Sequence, residues 1–557
     1  MTAPRIETDV VIIGAGPAGL CLAIELGQRN VKCVVVERGD SEYNVLKANA
    51  TQARTMELYR RMGISEKIRE IGLPHDYPTD VAYFTRYSGF ELARFRLPAS
   101  KDVAELARRS SGSWSTPELP HRGNQMYVEK ILKEHAMSFP TCSFMYHHQA
   151  EVLHNSDQLV DVSIKNTKDG TSKEITAKYL IGADGPRSAI REQLGIAYEG
   201  DAVVDRKYIS GKMCTVYFRC ADLYDKIEHD PAWMYWCINP EIWGNLIVVN
   251  GVDTFLFHTQ FMNEEFEGDS ISADMAQQLF DAAFGKHCEI EVISTAFWHA
   301  GYSLVASQFG EGRVLIAGDA AHLFTPSGGL GYNTAVEDAV NLGWKLAAVL
   351  QGYGGKDLLS SYDAERRPIA KRNTQIAKGF ADSIGNYEPS PDLEVASQLG
   401  VRARLTARDF LTEHVKKEFN IPGVTFGARY TDSNVIVHDD EEPEDLITEY
   451  YPSGSPGGRA PHFWLSSGES LYDRLGPEFT LLVLKPSINV KERWQATARE
   501  MGVPLKVVEL YTDECCSDAQ AIFLSDLALI RPDLYVAWRG GANANAGKIL
   551  RKSLGRS

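Results

Sequence analysis

Three apolar runs, each closing on a glycine-containing turn and each leading into a helix, predict an α/β protein. They are Asp9-Val-Val-Ile-Ile-Gly14-Ala-Gly16-Pro17-Ala18-Gly19, Tyr179-Leu-Ile-Gly-Ala-Asp184-Gly185 and Val314-Leu-Ile-Ala-Gly318-Asp319. With 557 residues the chain can form two or three domains with sizeable cores, and 44% hydrophobic content is ordinary for a globular protein.

The first run carries the strongest signal. G-x-G-x-x-G sits between a buried-type strand and a helix over 20–28, and a second apolar strand ends at Glu37-Arg38, the distance a βαβ dinucleotide fingerprint requires. Gly14 permits the tight turn, Gly16 lets a pyrophosphate approach, Gly19 allows helix and strand to pack, and Glu37 can accept hydrogen bonds from a ribose. After the third run, Leu-Phe-Thr-Pro326-Ser-Gly328-Gly329-Leu-Gly331-Tyr332-Asn333 precedes helical spacing over 334–349. Such a loop offers backbone N–H groups and a positive dipole end to an anion, and its glycines remove the Cβ atoms that would keep a flat ligand off the backbone.

Composition narrows the partners. A formal net charge of -16 with pI near 5.4 argues against nucleic acid and anionic membrane surfaces. The nine cysteines are scattered, lack C-x-x-C and read as reduced buried thiols of a cytoplasmic protein, not as disulfides or a metal site. The apolar start is interrupted by glycines and Glu25, so it reads as strand, turn and helix instead of a membrane segment.

In chain order, 47–63 is a polar stretch whose second half is a helix ending on Gly63, with Lys47 placed to meet a phosphate or a flat ring. Residues 81–95 suggest two short strands, 110–120 a Ser/Pro-rich loop, and 120–136 a helix with Gln125 near its start. Strand-like segments at 150–153, 160–165 and 173–178 lead into the second run. Residues 215–219, 233–238, 246–250 and 254–261 form an aromatic, strand-rich block with Tyr217, Tyr235, Trp236 and His258 as pocket candidates, beside the plain reading that they pack a core. The Pro-rich 388–392 marks a linker, the acidic run 439–445 a solvated loop, and 479–539 alternates β and α elements.

The three runs in this order, with Ser188, Arg191 and His322, resemble the class A FAD-dependent aromatic-ring monooxygenases. Arg54-Thr-Met-Glu57, Pro120-His-Arg with Gln125 and Glu129, and Glu365-Arg-Arg-Pro368 resemble the phenol hydroxylase, hydroxyphenylpropionate hydroxylase and polyketide hydroxylase branch. The resemblance implies a Rossmann-type FAD-binding domain (1–80, 105–190 and 300–390) interleaved with a β-sheet substrate domain (81–104 and 191–299), then a thioredoxin-like C-terminal domain (391–557). It implies tightly bound FAD, transient NADPH or NADH, O2 as co-substrate, a small aromatic substrate and a homodimer. Cofactor contacts implied are Gly14, Gly16, Pro17, Ala18, Gly19, Glu37, Arg38, Lys47, Gln125, Asp184, Gly185, Asp319, Pro326, Gly329, Gly331, Tyr332 and Asn333. Candidates for catalysis are Asn49, Tyr217, Tyr235, His258 and Pro326.

The implied chemistry is hydroxylation of a phenol by a C4a-hydroperoxyflavin, with the helix after Asn333 facing the negative charge of the reduced ring. Asn49 stands where some relatives carry Asp or His; it can orient a phenol but cannot take its proton. Baeyer-Villiger oxygenation of a polyketide is the near alternative, and a flavin dehydrogenase or oxidase, or a nonenzymatic nucleotide-binding scaffold, the more distant ones.

Overall fold

A computed structural model describes residues 5–40, 49–202, 206–261, 266, 268–439, 443–511, 513 and 516–556. Lys47 and Cys515 lie outside these described residues.

The three apolar runs become neighbouring parallel strands of one sheet: Arg5–Ile13 in the middle, Ser172–Gly182 beside it and Val314–Ile316 beyond. Cys33–Glu37 and Cys142–Tyr146 extend the sheet on the other side, also in parallel. The segments read as separate strands at 173–178 and 179–182 are one continuous strand, because its first half is sheltered by an antiparallel partner, Val160–Asn166. Helix Pro17–Gln28 is buried along nearly its whole length and packs against the long helix Leu330–Leu350 and against Gln125–Met137. Runs with Val, Ile and Leu on both faces are what a sheet covered on both sides demands.

A second, antiparallel-rich sheet of seven strands follows the order Glu291–Ala300, Gly211–Arg219, Thr254–Gln260, Trp243–Val248, Met234–Ile238, Val81–Phe84, Glu91–Phe95. Helix Ala273–Phe284 covers one face through Phe280, whose ring meets Phe218, Phe257 and Tyr87. Helix Gln398–Phe419, which the sequence reading left without an element, packs on this sheet's edge: Leu393, Ala407, Leu411 and Val415 share its apolar core. This segment lies inside the stretch expected to open the C-terminal domain at 391, yet it packs with the seven-stranded sheet, because its apolar positions complete that sheet's core.

Strands Leu505–Glu509, Phe479–Val483, Leu527–Ile530 and Val536–Gly540 make a separate four-stranded sheet, parallel in the first pair and antiparallel in the others. It is fastened to the first sheet's helices by buried charge. Glu365 accepts from Arg531 (2.7 and 2.8 Å), Lys345 (2.6 Å), Asn341 (2.7 Å) and Ser433 (2.6 Å) with no solvent exposure. Burial pushes the Glu365 carboxyl up, but Arg531 and then Lys345 outweigh it and hold it well below the usual carboxylate range. Arg54 reaches the Asp533 carbonyl (2.7 Å), and Glu57 pairs with Arg459 (3.0 Å).

Among the described residues no helix is long and apolar enough to cross a membrane.

Glu365→Gln leaves Arg531 and Lys345 buried against a neutral amide, so chemical denaturation should show a loss of about 3–5 kcal/mol. Since the folded carboxyl titrates below its ordinary 4.5, its stabilisation is complete above that pH and fades as pH falls toward the folded value. The wild type should therefore lose more stability than the variant between neutral and acid pH; parallel pH profiles would contradict this account.

Candidate active site

Register brings the three turns to one edge. Ile13 lies opposite Gly182, and Gly182 opposite Ile316, so all three strands stop at the same level. Contact at the turns is closer still. A Cβ on Gly14, whose φ is +106°, would stand 2.2 Å from the Ala183 carbonyl oxygen, and one on Gly19 would stand 2.0 Å from that of Gly14. A Cβ on Gly318 (φ +63°) would meet the Ala18 methyl at 3.1 Å. The first turn thus touches both of the others.

What remains open there fits a dinucleotide. Gly16 is the N-cap of helix Pro17–Gln28, no side chain caps that end, and a Cβ on Gly16 would meet nothing within 4 Å. The first turn, with the Ala18 and Gly19 amides behind Pro17, presents its dipole to that opening. Glu37 ends the second strand, tied to the Ala15 N–H (2.8 Å) and the Gly39 N–H (2.7 Å), while Arg38 beside it is exposed. Asp184 accepts from the Ser188 hydroxyl (2.5 Å), and Gly185 takes φ +87°. The Asp319 side chain is exposed at the mouth of the third turn, and its carbonyl accepts from Tyr198 (2.6 Å). These acceptors and N–H donors are of the kinds a pyrophosphate, a ribose and a ribityl chain require.

The 326–333 loop is fixed from behind. Its helix starts at Leu330, not after Asn333, because Gly329 in the left-handed conformation (φ +63°) is the N-cap. Asn333 therefore lies in the first helical turn, buried, where its amide donates to the Ala50 and Gly329 carbonyls (3.0 and 2.6 Å) and accepts from the Gln52 N–H (2.9 Å). Gln52 donates to the Gly328 carbonyl (2.8 Å). The Tyr332 hydroxyl pairs with that of buried Tyr59, so its ring faces the core and its backbone faces the loop; Gly331 packs near Phe324 and Pro326 is exposed.

Behind the third turn, fully buried Asp338 accepts from His322 Nε2 (2.6 Å), Arg366 Nε (2.8 Å) and the Gly318 N–H (3.3 Å). Burial pushes its carboxyl up; His322 and Arg366 outweigh burial and keep it low.

The substrate-side candidates divide by strand alternation. Tyr217 and His258 share a face with Trp236, Thr215 and Trp298. The His258 Nδ1 bonds the Thr215 hydroxyl (2.8 Å), which also accepts from Trp298 Nε1 (2.9 Å), and burial pushes the imidazole down to about 4. Tyr235 is a correction: its ring lies on the opposite face, fully buried and stacked on Phe84, with its hydroxyl accepting from the Ala232 N–H (2.8 Å). Gln125 is buried and donates to Glu129 (2.7 Å). Asn49 lines a narrow crevice with Arg122, Asn124 and Trp233. Gln52 and Asp338 carry no functional signal in the sequence, Trp233 reads only as part of the aromatic block 233–238 and Arg122 only as part of a motif, since their roles come from partners that spacing does not reveal.

Comparison with known proteins agrees with this geometry. The family model described as FAD binding domain matches residues 7–377, and one described as aromatic-ring hydroxylase, C-terminal, matches 453–557. The chain belongs to the FAD-dependent aromatic-ring monooxygenases and is an enzyme of that class. It is 30% identical to the FAD-dependent monooxygenase apdD of Emericella nidulans, over 98% of this chain and 90% of that protein. Phenol 2-monooxygenase of a Pseudomonas strain is 28% identical over 96% and 90%. The structure of the rebeccamycin biosynthetic enzyme RebC with reduced flavin superposes with a TM-score of 0.86 at 30% identity, covering 100% of both chains.

Two glycine variants separate fold from cofactor. Gly14→Ala meets a backbone carbonyl and a forbidden φ, and thermal or chemical melting should show a loss of about 3 kcal/mol. Gly16→Ala faces open space and should cost the apo fold about 1 kcal/mol or less, while equilibrium dialysis shows FAD affinity falling about tenfold or more. Unchanged FAD affinity in Gly16→Ala would remove the first turn from the cofactor site.

Proposed function

We propose that this enzyme uses NADH or NADPH and O2 to hydroxylate a phenolic ring. The observation that carries the proposal is the pinning of the 326–333 loop to Ala50, between the three-turn cradle and the crevice that holds Asn49 and Trp233. FAD, when bound, would supply the redox chemistry by which two electrons from the nicotinamide let one oxygen atom of O2 enter the ring and the other leave as water.

The chain's own residues do the rest. Glu37 receives the adenosine ribose, the Ala18 and Gly19 amides the pyrophosphate, Asp319 the ribityl chain and the Gly329–Asn333 backbone the ring system, with Pro326 at its edge. Arg38, Gln125, Asp184 and Gly185 complete the cofactor contacts. The helix dipole at Gly329 favours negative charge at that end of the ring. Asn49 orients the phenol hydroxyl by hydrogen bonding and leaves its proton to another group or to a water at the edge of the site, because a neutral amide is no base. His258, neutral and bound to Thr215, and Tyr217 stand on the sheet face outside the crevice of Asn49, while the apolar walls at Leu73, Phe95 and Phe419 would limit water in the adjoining cavity.

The 479–553 unit we read as thioredoxin-like, supported by its parallel pair followed by an antiparallel hairpin with flanking helices. Its buried ion pairs favour a packing role over a redox one. The seven described free cysteines accord with a cytoplasmic protein. A homodimer is supported by exposed Val395, Leu399, Val401 and Leu405 on and before one helix; sedimentation at micromolar concentration tests it, and a monomer would refute it.

A panel of phenols tested for stimulated NADH and NADPH oxidation under labelled O2 decides the reaction. One labelled oxygen atom in a ring-hydroxylated product is expected. A spent reductant with no label in any organic product would indicate dehydrogenase or oxidase chemistry.

A further inference from the structure

Arg122 is a buried arginine without a carboxylate. It is 8% exposed and, among the described residues, its guanidinium has no ion pair and no hydrogen bond; it rests on the Trp233 ring at 4.4 Å. The other buried arginines are all paired: Arg29 with Glu25, Arg54 and Arg459 with Glu57, Arg191 with Glu192, Arg206 with Asp382, Arg366 with Asp338, Arg531 with Glu365. Burial pushes the Arg122 guanidinium down to about 10, which still leaves it cationic at neutral pH. A second donor beside it is also unused. The Asn124 carbonyl oxygen caps the following helix through the Met126 N–H (3.1 Å), while its buried Nδ2 has no partner. The guanidinium keeps its accessible surface toward the cavities it lines, and a cation and a buried unpartnered donor held together suit an acceptor from outside.

The surroundings define that acceptor. Arg122 lines a cavity of about 240 Å³ whose walls include Leu73, Phe95, Trp114 and Phe419 and, among the described residues, no Asp or Glu. With Asn124, Asn49 and Trp233 it also lines the adjoining crevice. Arg122 pairs across a two-strand ladder with Ala50, whose carbonyl accepts from Asn333 and whose methyl lies 3.3 Å from where a Gly329 Cβ would be. The lone cation is therefore one strand away from the loop assigned to the cofactor's ring. Aromatic walls suit a flat apolar body, the small volume suits one or two rings, and a planar guanidinium suits a two-oxygen or phenolic anion.

We propose that Arg122, assisted by Asn124, is the specificity-determining residue of the substrate site and that the substrate is an aromatic oxyanion, its ring in the cavity and its carboxylate or phenolate on the guanidinium. This rests on the reading of the site as that of an aromatic hydroxylase.

The test compares FAD-loaded wild type with Arg122→Gln and Arg122→Lys. Hydroxybenzoates and hydroxynaphthoates, the matching carboxamides, and simple phenols serve as probes, with Kd read from flavin absorbance and, independently, from tryptophan fluorescence. Wild type should bind at least one acid, or one phenol in its ionised form, about tenfold or more tightly than the uncharged counterpart. Arg122→Gln should abolish that preference while leaving the amides within about twofold, and Arg122→Lys should keep part of it. Acid preference already present at about pH 6 identifies a carboxylate; preference growing toward about pH 9 identifies a phenolate. Equal binding of charged and uncharged probes by wild type, equal loss of both in Arg122→Gln, or loss of FAD from that variant would overturn the proposal. Should Arg122→Gln not fold, the wild-type ratio alone decides. A chain that lacks FAD or inserts no labelled oxygen refutes the hydroxylase reading whatever this ratio; a hydroxylating chain with a ratio near one refutes only the role of Arg122.

Discussion

The Asp338 carboxylate is the point on which the cofactor-facing end of the molecule hangs. It has no solvent contact and takes three donors, one from the backbone of the third turn at Gly318, one from His322 just after that turn, and one from Arg366 on a different helix. It sits on the same helix, Leu330–Leu350, whose first turn forms the glycine loop. One rigid rod therefore sets both the turn that carries Asp319 and the loop that carries Gly329 and Asn333. Their separation is controlled by helix geometry instead of by loop conformation, which is what a long flat cofactor needs from its binding site.

A second set of buried polar contacts joins that rod to the rest of the chain. Asn333 and Gln52 staple the loop to the Ala50 strand, and Ala50 in turn positions Arg122. Farther back, Arg54, Glu57 and Glu365 reach Asp533, Arg459 and Arg531 of the C-terminal part. Each of these contacts spans well over one hundred residues of sequence, and those of Glu57 and Glu365 are ion pairs. Buried pairs of this kind contribute little net stability compared with apolar packing, yet breaking one leaves an uncompensated charge, so they select a single arrangement of the parts.

Much of this could be seen in the amino-acid order alone. The parallel strands are legible because they are buried on both faces and so read as unbroken Val, Ile and Leu. The turns are legible because Gly14 and Gly318 need positive φ and leave no room for a side chain. Other features depend on partners that spacing does not reveal. Arg54-Thr-Met-Glu57 and Glu365-Arg366 marked a family branch; in the fold Arg54, Glu57 and Glu365 are latches to the C-terminal part and Arg366 holds Asp338. Tyr235 and Trp236 read alike in the sequence, although adjacent strand residues face opposite ways, and the Tyr235 ring lies on the face that helix Ala273–Phe284 covers. The helix Gln398–Phe419 has a weak apolar stripe, and it forms because the seven-stranded sheet supplies the surface it covers. The solitude of Arg122 is a property of three dimensions, since the chain has ample carboxylates and none of the described ones pairs with it.

The central claim, that three turns from distant parts of the chain hold one flavin nucleotide, is tested most directly by a crystal structure of the FAD-loaded protein. The account predicts the pyrophosphate at the first turn of helix Pro17–Gln28, the ribityl chain within hydrogen-bond reach of Asp319, and the ring system against the Gly329–Asn333 backbone. A cofactor bound elsewhere, or one that contacts only the first turn, would contradict it.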